Sequence, residues 1–191
     1  MKIYFTAAIL QKNELGKNYK EIVDTLNKLG HTVIEDTTTT PLETAINKSD
    51  EQRVEYYKKV LSWIANCDLV VVESSFPSTL HIGHEISLAL EKGKPIAALY
   101  LKGKEPSFFL GFSTEKLMWL EYDHSSLEDV LKYALETAQE KMDVRFNFFV
   151  SPEIQQYLDW VAKYKRTPRA VYLRELLERD MKENKDWKKQ K

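Results

Sequence analysis

The sequence predicts an α/β protein: a doubly wound parallel sheet followed by a small strand–helix–helix segment. Three observations carry that expectation. Short β-branched runs alternate with amphipathic helical stretches through residues 1–140, the pattern of parallel βαβ units. One run, Leu69-Val70-Val71-Val72, is apolar on both faces, as a strand covered by helices on either side must be. After residue 140 the order changes to one strand and two helices, and the charge balance changes sign.

Residues 2–6 (KIYFT) read as the first strand. Residues 18–29 place Tyr19, Ile22, Val23, Leu26 and Leu29 on one helical face, which Gly30 ends. Residues 31–34 make a short second strand, and residues 36–41 (DTTTTP) a polar loop that reads as solvated rather than as a site. A charged helix is expected over residues 50–66 with Val54, Tyr57, Leu61 and Ile64 inward. The third strand opens at Leu69 and leads into a loop with Ser75, Pro77, Ser78, Thr79 and Gly83, then a helix carrying Glu85 in its first turn. A strand at 95–100, an apolar segment at 108–112, a strand near 117–120 and a helix over 126–140 complete this part.

Charge divides the chain at the same boundary. Residues 1–140 hold 15 basic and 21 acidic side chains, net −6, whereas residues 141–191 hold 13 and 8, net +5. That asymmetry predicts two domains with different partners, 1–140 and 141–191. The single cysteine, Cys67, excludes an internal disulfide and a multi-cysteine zinc site, and it lies where a core thiol is expected. The pattern calls for no cofactor and no metal. No apolar run approaches the ~20 residues of a membrane span, and MKIYFTAA leads straight into a strand, so a cytoplasmic protein is expected.

The stretch with chemistry is residues 69–90. In open α/β sheets, ligands bind at the carboxyl ends of strands, and Glu85 falls there. A carboxylate in that place can orient a sugar hydroxyl, act as a general base or attack an anomeric carbon. Gly83 would let a backbone approach a ligand closely. A first-turn glutamate can also simply complement the helix dipole.

The ordered set of motifs narrows this. With Lys2-Ile3-Tyr4-Phe5, residues 63–71 (WIANCDLVV), Pro77-Ser78 and Gly83-His84-Glu85-Ile86, the chain resembles the nucleoside 2-deoxyribosyltransferase family. It looks most like the branch of 2′-deoxynucleoside 5′-phosphate N-hydrolases, and the similarity runs on through residues 94–100, 106–111 and Trp119, Tyr122 and Leu131. The resemblance implies a flavodoxin-like fold and cleavage or transfer at the N-glycosidic bond of a (deoxy)nucleoside or its 5′-monophosphate. Glu85 would be the nucleophile, Tyr4 would line the sugar or base pocket, and Ser78 or Thr79 would bind a 5′-phosphate. Ser107 would reach into a neighbouring subunit's site, implying a homodimer or larger homo-oligomer. His84 stands where the motif has Tyr or Phe. The family's Gly-Ser-x-Arg phosphate contact is replaced by Ala7, Ala8 and Leu10, with Gln11 or Lys12 as substitutes, and its helix aspartate by Val60. Asp50, Glu51 or Glu55 would reach in only from a shifted register, and none fits the spacing.

Residues 144–183 resemble a ribbon-helix-helix module: a strand over 144–150 (VRFNFFV), a helix starting at Ser151-Pro152-Glu153 and another at Thr167-Pro168. The first helix presents Ile154, Tyr157, Leu158 and Val161, the second Val171, Leu173, Leu176, Leu177 and Met181; the tail NKDWKKQK is expected to fray. The resemblance implies strand pairing between two chains, with Phe146, Phe148 and Val150 inward. Arg145, Asn147 and Phe149 would face outward toward DNA bases, and Thr167 would face a phosphate. The alternative to an enzyme is therefore a nucleotide-sensing DNA-binding regulator; the alternative role for the segment is oligomerisation alone.

Overall fold

The structure is a computed structural model that describes residues 1–106, 114–141 and 149–188. It divides into two compact units, Met1–Asp143 and Val144–Lys191. The strand expected over 144–150 lies outside the described residues except for Phe149 and Val150, which have no regular structure and are exposed. The apolar segment at 108–112 and the residues Ser107, Arg145, Phe146, Asn147 and Phe148 also lie outside them.

The first unit is built on five parallel strands, β1 (Lys2–Ala7), β2 (Thr32–Ile34), β3 (Leu69–Glu73), β4 (Ile96–Leu101) and β5 (Leu117–Tyr122), in the order β2-β1-β3-β4-β5. This is the flavodoxin-like order. The chain moves outward from β1 to β2, then crosses back to β3 on the other side of β1. The switch point, where ligands bind in such sheets, therefore lies between β1 and β3.

Two apolar layers sandwich the sheet. Ile3, Phe5, Val71, Ala97 and Leu99 pack under α1 (Lys12–Lys28) and α5 (Leu127–Lys141). Tyr4, Val70, Val72, Ile96 and Ala98 pack under α3 (Asp50–Asn66) and α4 (Leu80–Glu91). Every residue of β3 is buried, which is why its first four, Leu69-Val70-Val71-Val72, read as an unbroken apolar run.

Helix ends follow local chemistry. At the end of α1, Gly30 adopts φ +86°, its N–H bonds the Asn27 carbonyl, and the His31 N–H bonds the Leu26 carbonyl. That is a Schellman closure, and only glycine takes the left-handed position without strain. Ser49 and Gln52 form a reciprocal capping box at the start of α3.

Several expectations shift. The first helix begins at Lys12, after a 3-10 turn at Ile9–Gln11, and a short α2 (Leu42–Ile46) follows the threonine loop. In α3 the inward residues are Val60 and Ile64, while Val54 and Tyr57 are 55% and 44% exposed. The physical reason is that only the second half of α3 lies on the sheet; its first half flanks an open cleft. Glu85 lies in the second turn of α4, whose first turn holds no acid.

In the second unit, α6 (Pro152–Tyr164) starts as expected, with the Ser151 hydroxyl accepting from the Ile154 N–H. Leu158 and Val161 are buried, whereas Ile154 and Tyr157 are about half exposed. α7 (Arg169–Glu183) begins one residue after Pro168, which holds the N-cap position. Thr167 lies before the cap and its hydroxyl donates to the Lys165 carbonyl, so it does not cap this helix. Val171, Leu177 and Met181 are exposed, and the tail holds a short helical turn, α8 (Lys185–Lys188). No helix among the described residues is long and apolar enough to cross a membrane.

Candidate active site

Glu85 sits in an apolar stripe. Ile82, Glu85, Ile86 and Ala89 are the buried residues of α4, spaced i, i+3, i+4 and i+7, so the carboxylate faces the sheet with the core side chains. It is 8% exposed. A dipole-complementing surface glutamate would be elsewhere.

The strand beneath supplies its partners. Residues alternate faces along a strand, so Tyr4 and Thr6 of β1 both point toward α4. The Tyr4 hydroxyl donates to Glu85 Oε2 at 2.9 Å, and the Thr6 hydroxyl also bonds the carboxylate. Tyr4 is itself buried and tilted against Trp63 at 5.7 Å between ring centroids. Burial pushes the Glu85 carboxyl up to about 7, the two hydroxyls pull it back, and the charge of Asp36 adds to the rise. Glu85 thus titrates near neutrality.

These residues border a cleft of about 520 Å³ at the switch point. β1 contributes Thr6 and Ala7, the turn after it Ile9 and Leu10, and the loop after β2 contributes Asp36, Thr37 and Thr40. Lys48, Tyr56 and Val60 close one side, Thr79 and Glu85 another. The threonine loop read as solvated is therefore a wall: Thr37 is buried, and Lys12 Nζ donates to the Thr38 and Thr40 carbonyls at 2.8 and 2.6 Å. The available signal was position, since residues 36–41 directly follow β2 and so lie at the carboxyl edge of the sheet.

The other expected residues separate. Thr79 is the N-cap of α4 and lines the cleft. The Ser78 hydroxyl is shielded from solvent with no hydrogen-bond partner, and Ser78 is not among the cleft-lining residues. Gly83 lies inside α4 with ordinary helical backbone, its N–H bonding the Thr79 carbonyl, so it offers no close-approach loop. His84 is exposed at the cleft rim, stacked on Tyr57 at 5.8 Å with Nε2 3.2 Å from the tyrosine oxygen. Lys12 is committed to the threonine loop and the Gln11 amide to the Pro77 carbonyl, so neither is free to replace a phosphate-binding arginine. Asp50, Glu51 and Glu55 are exposed and do not line the cleft, whereas Val60 does.

A second buried carboxylate lies on the opposite face of the sheet. Glu73, the last residue of β3, accepts from the hydroxyls of Ser75 and of Tyr122, the latter at 3.3 Å. Burial pushes it up to about 7, against the pull of those donors and of Lys104. Among the described residues no cluster of His, Cys, Asp and Glu could hold a metal ion.

Removing the Tyr4 hydroxyl has a predictable consequence. A hydrogen bond to a charged group is worth ~1.5–3 kcal/mol, equivalent to about one to two pH units. Tyr4→Phe is therefore expected to raise the Glu85 carboxyl further. In a pH–rate profile the acid limb should move toward alkaline pH, while the plateau falls less. An unmoved acid limb would show that this hydrogen bond does not tune Glu85.

A parallel sheet of this order, with a buried carboxylate bordering a cleft at its switch point, defines a flavodoxin-like α/β protein. No family model matches the chain. Individual relatives do. Over 137 residues, 71% of this chain and 94% of the relative, it is 33% identical to the "Putative 2'-deoxynucleoside 5'-phosphate N-hydrolase 1" of Syntrophotalea carbinolica. It is 30% identical over 98 residues to the 5-hydroxymethyl-dUMP N-hydrolase of Mus musculus, covering 51% of this chain and 56% of that protein. Among solved structures, the Clostridium botulinum CMP N-glycosidase BcmB matches with a TM-score of 0.50 at 18% identity, over 71% of this chain and 99% of that one, a likeness of fold. The chain belongs to the nucleoside 2-deoxyribosyltransferase-like family, with the 2′-deoxynucleoside 5′-phosphate N-hydrolases.

Proposed function

We propose that this protein is an enzyme that hydrolyses the N-glycosidic bond of a deoxynucleoside 5′-monophosphate, with Glu85 as nucleophile. The observation that carries the reading is the placement of Glu85: buried, held by Tyr4 and Thr6, and open to the switch-point cleft. The names of its relatives support the same bond and substrate class.

In this reading the ionised Glu85 attacks C1′ of the sugar through an oxocarbenium-like transition state. The C1′–N bond breaks, its electron pair leaves with the base, and a glycosyl ester forms on Glu85. Water then attacks C1′, releasing the sugar phosphate and restoring the carboxylate. The two hydroxyl donors favour the charged form of Glu85 and so support its role as attacking group. Thr79, at the N-terminus of α4, is the hydroxyl best placed to meet a 5′-phosphate, since helix N-termini favour anions. Ala7, Ile9 and Leu10 leave the turn after β1 apolar, so little phosphate binding comes from there.

The test is chromatographic detection of free base from a panel of nucleosides and their 5′-monophosphates, with Glu85→Ala as control. Base release by the wild type and none by the variant is expected, with monophosphates preferred over nucleosides. No release from any compound, or equal release by the variant, sinks the proposal. If monophosphates hold no advantage, the phosphate reading alone falls.

The C-terminal unit enters as an assembly device. A unit this short leaves Tyr164 and Leu177 each 64% exposed, apolar surface that pairing with a second copy would cover. Light scattering of the full chain should give about twice the 22.4 kDa of one copy; a monomer at micromolar concentration removes this role. Base reading by Arg145 and Asn147 draws no support from the described residues.

A further inference from the structure

We infer that Asp36 is the second carboxylate of the reaction, the acid that protonates the departing base and then the base that activates water. The inference rests on the proposed N-glycosidic cleavage. In that chemistry the leaving nitrogen base carries off an electron pair and needs a proton, and a nucleophilic Glu85 cannot supply it. A second proton carrier must reach the same cleft.

Asp36 is the only other carboxylate among the described residues that line it. α3 offers none, because the residues it turns to the cleft are Arg53, Tyr56, Tyr57 and Val60 and its acids face solvent. Of the two imidazoles that line the cleft, His84 is occupied by Tyr57 and His81 is an exposed residue of the first turn of α4, and Arg53 stays protonated at any working pH. Asp36 arrives from the loop after β2, at the carboxyl edge of the sheet, on the opposite side of β1 from β3 and α4. The Tyr56 hydroxyl donates to its Oδ1 at 3.1 Å and so fixes the carboxyl, leaving Oδ2 to carry a proton. Lys48 Nζ sits 3.5 Å from the centroid of the Tyr56 ring and steadies that tyrosine in turn.

Glu85 accepts from Tyr4 and Asp36 from Tyr56, and the charge of Asp36 raises the Glu85 carboxyl. Two carboxylates that feel each other's charge share protons as a pair. The pair holds a proton near neutral pH, and the reaction draws on the form in which that proton sits on Asp36. Around Asp36, burial and the negative charge of Glu35 favour the protonated form; the Tyr56 hydrogen bond, Lys48 and Lys59 oppose it.

The steps balance. As Glu85 forms its bond to C1′, the C1′–N bond breaks and the Asp36 proton passes to the base, leaving Asp36 ionised. In the second half Asp36 takes a proton from water as the water oxygen bonds C1′ and the ester bond to Glu85 breaks. The products are free base and sugar phosphate, with Asp36 again protonated and Glu85 again ionised.

The test compares bases that differ in need of a proton. Wild type, Glu85→Ala and Asp36→Asn are assayed on dUMP and on 5-fluoro-dUMP, whose base is the better leaving group. Asp36→Asn should lose ~100-fold or more in kcat on dUMP, the scale of general acid catalysis, and several-fold less on the fluorinated substrate. Its alkaline limb in the pH–rate profile should vanish while the melting temperature stays near wild type. Equal losses on both substrates with the alkaline limb intact would reduce Asp36 to a structural role and overturn the inference, leaving Glu85 untouched. Wild-type rates in Asp36→Asn would do the same. If the wild type releases no base from either compound, the proposed function itself fails and this inference goes with it.

Discussion

Glu85→Gln is expected to lose base-releasing activity by roughly 10³-fold or more while keeping its fold, since an amide cannot serve as the nucleophile. Shape is preserved, and the glutamine oxygen can still accept from the Tyr4 and Thr6 hydroxyls. Stability should move in the opposite direction from activity. In the folded protein Glu85 titrates at about 7, above its ordinary 4.5, so above neutral pH the wild type holds an ionised group in a site that disfavours it. Removing the charge relieves that cost, and the variant should melt at or above the wild-type temperature at pH 8. Activity lost together with stability would instead mean that Glu85 is a packing residue.

The second large effect is on stability alone. Glu73 is 1% exposed and its carboxyl is raised from 4.5 to about 7 in the folded protein. A raised acid binds its proton more tightly folded than unfolded. Stability is therefore full below about pH 4.5, falls as pH rises toward 7 because the unfolded chain releases the proton first, and levels off above. The loss across that window is about 3 kcal/mol, because one proton held only by the folded state costs ~1.4 kcal/mol for each pH unit climbed. Glu73→Gln should remove this share of the slope, measured by denaturant unfolding at pH 4, 5.5 and 8. An unchanged slope would show that Glu73 remains ionised in the folded state, satisfied by Ser75, Tyr122 and Lys104.

Local pattern was a good guide where one principle acted alone. Residues 50–66 form a helix with the expected bounds, because the capping box and spacing agree. All residues of β3 are buried, as an apolar run with β-branching requires. Pattern failed where two surfaces competed for one element. Val54 and Tyr57 have helical spacing with Leu61 and Ile64, yet the helix leaves the sheet halfway and exposes both. The start of α4 was misplaced for a related reason. The Ser, Thr and Gly content of residues 78–83 reads as loop, but tertiary packing of Ile82 extends the helix back to Leu80.

By itself the sequence determined the α/β class, and it singled out a boundary near residue 140 and Glu85 as candidates, because each depends on periodicity, composition or a motif contiguous in the chain. Tertiary structure alone decided what surrounds that glutamate. Tyr4 and Glu85 are 81 positions apart, and the loop carrying Asp36 belongs to a third region of the chain. They share one cleft because the sheet reverses its strand order between β1 and β3, and no local spacing encodes that juxtaposition. Burial at that crossing moves the carboxyl groups toward neutrality, and burial belongs to the packed molecule rather than to any segment of it.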